Sequence, residues 1–132
     1  MSRLYELLDE AGEFFLATVD DMQPKLRPIG AHIEMDGKVI FGIGAHKDVY
    51  RQLVKNPYCE IAGMVGKGKW FRLTGKAVFE EDASYAEEYL ETHAGLRKIY
   101  NQETGHKLAM FHLEDAAACL YVMGRIIENI PL

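Results

Sequence analysis

The strand-like segments of this chain are joined mostly by turns too short to hold a helix. Asp20-Asp21-Met22-Gln23 separates the first two, Asp36-Gly37 the next pair, and Gly66-Lys67-Gly68-Lys69 a third. Such joins leave antiparallel pairing, because a parallel crossover needs about a dozen residues or more. A doubly wound parallel sheet is therefore disfavoured. A closed or partly closed antiparallel barrel is favoured.

A helix opens the chain: Leu4, Leu7, Leu8 and Ala11 share one face, Ser2 is placed to cap it, and Gly12 to end it. Strands are expected over about Phe14–Val19, Lys25–Met35, Lys38–Ile43 and Tyr58–Val65. Trp70 to Glu80 alternates, with Phe71, Leu73, Gly75, Ala77 and Phe79 on one face. A short helix carrying Val49, Tyr50, Leu53 and Val54 stops at Asn56-Pro57, and a polar, helix-rich stretch covers about 82–101. Two strands, near Leu108–Leu113 and Ala117–Arg125, close the chain. The expected architecture is mainly β with α: about six antiparallel strands and about three flanking helices, as one domain over residues 1–132.

With 132 residues, 48% apolar and 27% charged, the chain has the make-up of a single globular domain. A net charge of -5 disfavours general binding to nucleic acid or anionic membrane. No apolar run approaches the ~20 residues of a membrane-spanning helix, and the N-terminus lacks the pattern of a signal peptide. Cys59 and Cys119 sit in apolar runs without metal-ligand spacing, and are read as buried free thiols. A cytoplasmic protein with no nucleic-acid or membrane partner is expected.

Three segments carry residues suited to a ligand. In Gln23–Gly30, Arg27 places a guanidinium fork in a strand whose Pro28 lacks a backbone donor. Proline implies an edge or a bulge, so this strand is free to face either solvent or a ligand. Ile43-Gly44-Ala45-His46-Lys47-Asp48 lies where a strand hands over to a helix, a place whose unpaired amides favour anions. In Lys69-Trp70-Phe71-Arg72 the indole shares an otherwise polar strand face with Arg72. A planar ligand, a partner subunit or the chain's own helices must cover it. No GxGxxG, P-loop or GxSxG motif occurs, and the five histidines are scattered.

At these residues the chain resembles the pyridoxamine 5′-phosphate oxidase-like family of FMN-binding split barrels, above all its short single-domain bacterial members. The resemblance covers nearly the whole chain, through the blocks FFLATVD, QPKLRPIG, the DG hairpin, HKDVYRQLVKNPYCEI, GKWFRLTGKAVFEED and EDAAACLYVMG. It implies a six-stranded antiparallel split β-barrel that pairs as a homodimer with FMN at the interface. Carried over by position, Arg27, Pro28, Ile29 and Gly30 border the isoalloxazine and ribityl chain. Gly44, His46 and Lys47 meet the phosphate, and Trp70 and Arg72 arrive from the second copy. Ile43 stands where members often carry a hydroxyl residue. That removes a phosphate hydrogen bond of roughly 1.5–3 kcal/mol and lowers the expected FMN affinity.

The C-terminal extension of the true pyridoxamine phosphate oxidases is lacking, so that substrate is not expected. The resemblance points to an oxidoreductase acting on a small planar or nitroaromatic substrate, with Arg27 stabilising reduced flavin. Two alternatives stand beside it. One is a module that stores flavin without catalysis. The other is deazaflavin or haem on the same barrel, with His46, His93 or His112 as the axial ligand.

Overall fold

The computed structural model describes all residues, 1–132. Its elements are α1 (Arg3–Ala11), β1 (Phe14–Asp20), β2 (Gln23–Ile29), β3 (His32–Met35), β4 (Lys38–Gly44) and α2 (Asp48–Lys55). They continue with β5 (Tyr58–Met64), β6 (Lys69–Phe79), α3 (Ser84–Thr92), a 3₁₀ helix (Ala94–Lys98), β7 (Leu108–Val122) and β8 (Arg125–Ile130). Local chemistry sets the boundaries. The Ser2 hydroxyl accepts the Tyr5 amide at 3.2 Å, and Gly12 ends α1 with φ 73°. Asp36 and Gly37 have φ 54° and 72°, as a type I′ hairpin turn between β3 and β4 demands.

Mainly antiparallel β with three α-helices holds, but the sheet has eight strands where about six were expected. The segment Lys25–Met35 breaks at Gly30-Ala31 into β2 and β3. The two expected closing strands are instead one long strand, β7, which absorbs the irregularity at Asp115 (φ 51°) as a bulge opposite Gly75. A Cβ on Gly75 would lie 3.1 Å from Glu114 O and Leu113 Cβ, so a larger residue would push the bulge open. Met123, with φ 57°, then turns the chain into β8.

The strand order is β2-β1-β5-β6-β7-β4-β3, with β8 on the far half of β7. The two edges, β2 and β3, are consecutive in the chain and separated by Gly30-Ala31 alone. The sheet therefore curls until its edges meet without pairing, which leaves a barrel with one open seam. Pro28 sits on β2, an edge strand whose only partner is β1, as its missing donor requires.

The inner face holds Phe14, Phe41, Phe71 and Phe111, each buried to 1% exposure or less, together with Leu4, Leu7 and Leu8 of α1 and Leu53 of α2. Phe14 meets Phe41 and Phe71 edge-on, at ring separations of 5.9 and 6.4 Å. A second cluster, Ile40, Tyr85, Tyr89, Leu90, Leu108 and Met110, fastens α3 to the sheet beside the seam. Cys59 is buried, whereas Cys119 is only half-buried, correcting the expectation of two buried thiols. No helix is long and apolar enough to cross a membrane.

Candidate cofactor-binding cleft

A cleft of about 450 Å³ lies along the seam. One side is the β2 edge and the link to β3: Arg27, Pro28, Ile29, Gly30 and Ala31. Its floor is the end of β4, at Gly42, Ile43 and Gly44, continued by Lys47 and Val49 at the start of α2. The third side comes from α3 and the residues after it: Tyr89, His93, Leu96 and Tyr100. The topology explains the meeting. The β2 edge and the end of β4 face each other there, and β4 hands over to α2 beside them.

Seven of the ten expected site residues, Arg27, Pro28, Ile29, Gly30, Ile43, Gly44 and Lys47, are brought together in this cleft. Ile43 is buried in the core as well as lining the floor. His46 stands at the end of the cleft rather than in its lining. Its ring stacks on His106 at 3.7 Å and 18°, with Tyr100 beside it. Burial, His106 and Lys47 together pull the His46 pKa below its ordinary value. A Cβ on Gly44 would lie 2.8 Å from His46 Cε1 and 3.0 Å from Tyr100 Oη, so glycine is what lets this end close.

Arg27 lines the cleft, but much of its guanidinium is committed elsewhere. Nη1 donates to Leu16 O at 3.1 Å and to Thr18 Oγ1 at 2.7 Å, and Nη2 donates to Gln52 Oε1 at 2.7 Å. The Thr18 hydroxyl donates to the same Gln52 oxygen at 2.6 Å. Three of the five N–H groups are thus spent on β1 and α2, leaving one on Nε and one on Nη2. Burial pulls the guanidinium pKa below its ordinary value. The fork is held in place by the protein's own acceptors.

Thr18 and Gln52, at 2% and 3% exposure, are the buried polar residues of the fold, and the motifs did not single them out. Their trace in the sequence was faint: Thr18 is the polar member of the inward face of β1, and Gln52 sits three residues after Val49 on the apolar face of α2. No motif marks Tyr89 or Tyr100 either. The i,i+4 spacing of Tyr85, Tyr89 and His93 was the readable sign of an aromatic face.

The start of α2 has no side-chain cap, and no protein acceptor bonds the amides of Asp48 and Val49. Lys47 stands at the N-cap position, while the Asp48 carboxylate is 86% exposed and faces Arg51. An anion seated there would meet free N–H groups and a lysine.

Trp70 and Arg72 do not reach this cleft. They lie on the outer face of the sheet, where the indole stacks on Tyr121 at 4.3 Å and 10° and donates to Met123 O at 3.1 Å. Arg72 lies over both rings, at 5.0 and 5.4 Å. Its Nε is 3.3 Å from Glu60 Oε1 without the alignment of a hydrogen bond. Tyr121 thus supplies part of the cover the indole required. Beside them, Phe15, Ala17, Leu26, Met64 and Trp70 line an apolar groove of about 410 Å³.

Comparison with known proteins places the fold. The family model for pyridoxamine 5′-phosphate oxidase matches residues 2–117. Among solved structures, a NimC/NimA family protein from Clostridium acetobutylicum is 32% identical, with a TM-score of 0.86 over 98% of this chain and 91% of that one. General stress protein 26 from Bacillus anthracis, at 12% identity and a TM-score of 0.69 over 94% of each chain, shares the fold. So does a heme binding protein from Mycobacterium smegmatis, at 16% identity and a TM-score of 0.69 over 93% of this chain and 54% of that one. No curated protein sequence matches the chain. The chain belongs to the pyridoxamine 5′-phosphate oxidase family.

Proposed function

We propose that the seam cleft holds FMN, and that the protein works as a homodimeric flavin-dependent oxidoreductase on a small planar substrate. The carrying observation is the cleft itself. It joins anion-binding groups at one end to an apolar floor, at a volume within the ~300–1,000 Å³ usual for cofactor sites. Lys47 and the free amides of Asp48 and Val49 suit the phosphate. Ile29, Ile43 and Val49 give apolar surface for a flat ring. The two N–H groups left on Arg27 suit its polar edge. FMN, when bound, supplies a ring that passes hydride or single electrons. The protein's part is to hold it, exclude water and place positive charge near it.

A second copy has a seat in this reading. The outer groove exposes Phe15, Leu26 and Met64 at 46–66%, more apolar surface in one place than a lone subunit usually leaves to water. Pro28 pairs with Phe15 in register and also lines the cleft, so a subunit on the groove would border the bound flavin.

Titration of the flavin-free protein with FMN and with riboflavin, followed by flavin fluorescence, tests this reading. FMN is expected to bind more tightly than riboflavin, and Lys47→Ala should weaken FMN while sparing riboflavin. A protein indifferent to both would overturn the reading. Haem is the competing occupant, because His93 leaves its Nε2 unpaired beside the cleft. A Soret band lost in His93→Ala, with no flavin binding, would favour it.

A further inference from the structure

The five histidines differ in what their ring nitrogens do. Both nitrogens of His112 meet carboxylates, Glu80 at 2.5 Å and Glu114 at 2.9 Å, and both of His32 meet Gly30 O and Asp9. His46 and His106 stack on each other. His93 alone lines the cleft with one nitrogen fixed and the other free. Its Nδ1 lies 3.1 Å from Tyr89 O and 2.9 Å from Thr92 Oγ1. A carbonyl only accepts, so Nδ1 carries the proton. In the neutral ring Nε2 then presents its lone pair as an acceptor without a protein partner.

The ring lies flat on Tyr89, at 4.0 Å and 14°. Tyr89 is only 6% exposed, and its hydroxyl bonds no protein atom. The hydroxyl of Tyr100, packed against Gly44, is likewise unpaired. Burial raises the pKa of both phenols, so they stay protonated and remain donors. Neither hydroxyl is sealed from the cleft, so a ligand seated there can accept a hydrogen bond from each. This side of the cleft therefore offers two donors and one acceptor on an aromatic ledge with no formal charge. The facing side carries Arg27 and Lys47.

We propose that the Tyr89–His93–Tyr100 wall is the specificity wall for the second ligand of the cleft. That ligand is a planar, uncharged aromatic whose edge both donates and accepts, as a ring carboxamide does. Its N–H donates to His93 Nε2, and its carbonyl accepts from a tyrosine hydroxyl. A carboxylate on the same ring only accepts, and leaves Nε2 unpaired. This deepens the flavin reading by assigning the class of molecule that shares the cleft with the cofactor.

Nicotinamide and nicotinate are the probes, titrated into flavin-free and FMN-loaded protein. Binding is followed by the His93 ring resonances in NMR and, in the loaded protein, by the flavin absorbance band. Nicotinamide is expected to shift the His93 resonances in both states, and to bind about tenfold more tightly than nicotinate in the FMN-loaded protein, where the cationic end of the cleft is already taken. His93→Phe keeps the stack but removes the acceptor, and should erase that preference. His93→Gln, whose side-chain oxygen can accept, should restore part of it. Equal binding of the two probes by the loaded protein, unaltered preference in His93→Phe, or no binding of nicotinamide in either state would each overturn the proposal. Because the flavin-free protein is titrated as well, failure to bind FMN is read separately from failure of the wall.

Discussion

Replacing Arg27 by methionine separates an anchored guanidinium from one free to follow its ligand. The substitution keeps much of the side-chain volume and removes three donated hydrogen bonds, to Leu16 O, Thr18 Oγ1 and Gln52 Oε1. Hydrogen bonds to a charged group contribute about 1.5–3 kcal/mol each. Solvent at the open side of the cleft and the surviving Thr18–Gln52 bond reduce the total, so a loss of about 2–4 kcal/mol is expected. Urea denaturation reads this as a lower midpoint at an unchanged slope. Gln52→Met should cost somewhat less, because the guanidinium keeps its other two acceptors. The double variant should be more stable than the sum of the two losses implies, with a coupling of about 1–2 kcal/mol. A loss below about 0.5 kcal/mol for Arg27→Met, or strict additivity, would show that the fork is not held by these acceptors. Its assignment as a fixed wall of the cleft would then fail.

Phe111→Ala removes a fully buried ring packed on Phe41 and Phe79, and should cost about 3–5 kcal/mol in the same denaturation assay. Gly44→Ala meets only side-chain ends, so it should cost less than about 1.5 kcal/mol while separating the His46–His106 stack, readable as a shift of both ring resonances. The His46 pKa lies below its ordinary value when folded, so the unfolded chain binds the extra proton first as pH falls. Stability should therefore drop as pH passes from about 6.5 toward the lower folded value, and His46→Gln should lose part of that drop in a melting series. Burial pushes the Cys59 thiol up to about 11, so a thiol reagent at neutral pH should label Cys119 quickly and Cys59 only on unfolding.

Much of the fold was legible because hairpin turns and alternation are local. Asp36-Gly37 specified its turn, Ser2 and Gly12 bounded α1, and the alternation of β6 assigned its faces. What failed to show was continuity. A glycine link cannot say whether a long β-rich run is one strand or two edges, and the bulge at Asp115 mimics a turn. The split and the merger offset each other in number, and the strand that went unexpected is β8.

The site divided the same way. Arg27, Gly44 and Lys47 carry chemistry in their residue type, and the meeting of β2 with the end of β4 brings them together. Gln52 and Thr18 could not be singled out, because a buried polar residue is explained only by the partner that satisfies it, and that partner is 25 residues away for the pair Arg27–Gln52. Tyr89 and Tyr100 lie in a stretch that reads as solvated helix. Only tertiary packing turns them toward the seam.

Sedimentation velocity of the protein mixed with FMN, monitored in the visible flavin band, bears most directly on the seam cleft as a shared cofactor site. Flavin absorbance should move with a species of about twice the 15.0 kDa chain mass, one flavin per chain. Flavin left behind with the solvent, or carried by a single subunit of unchanged mass, would contradict it.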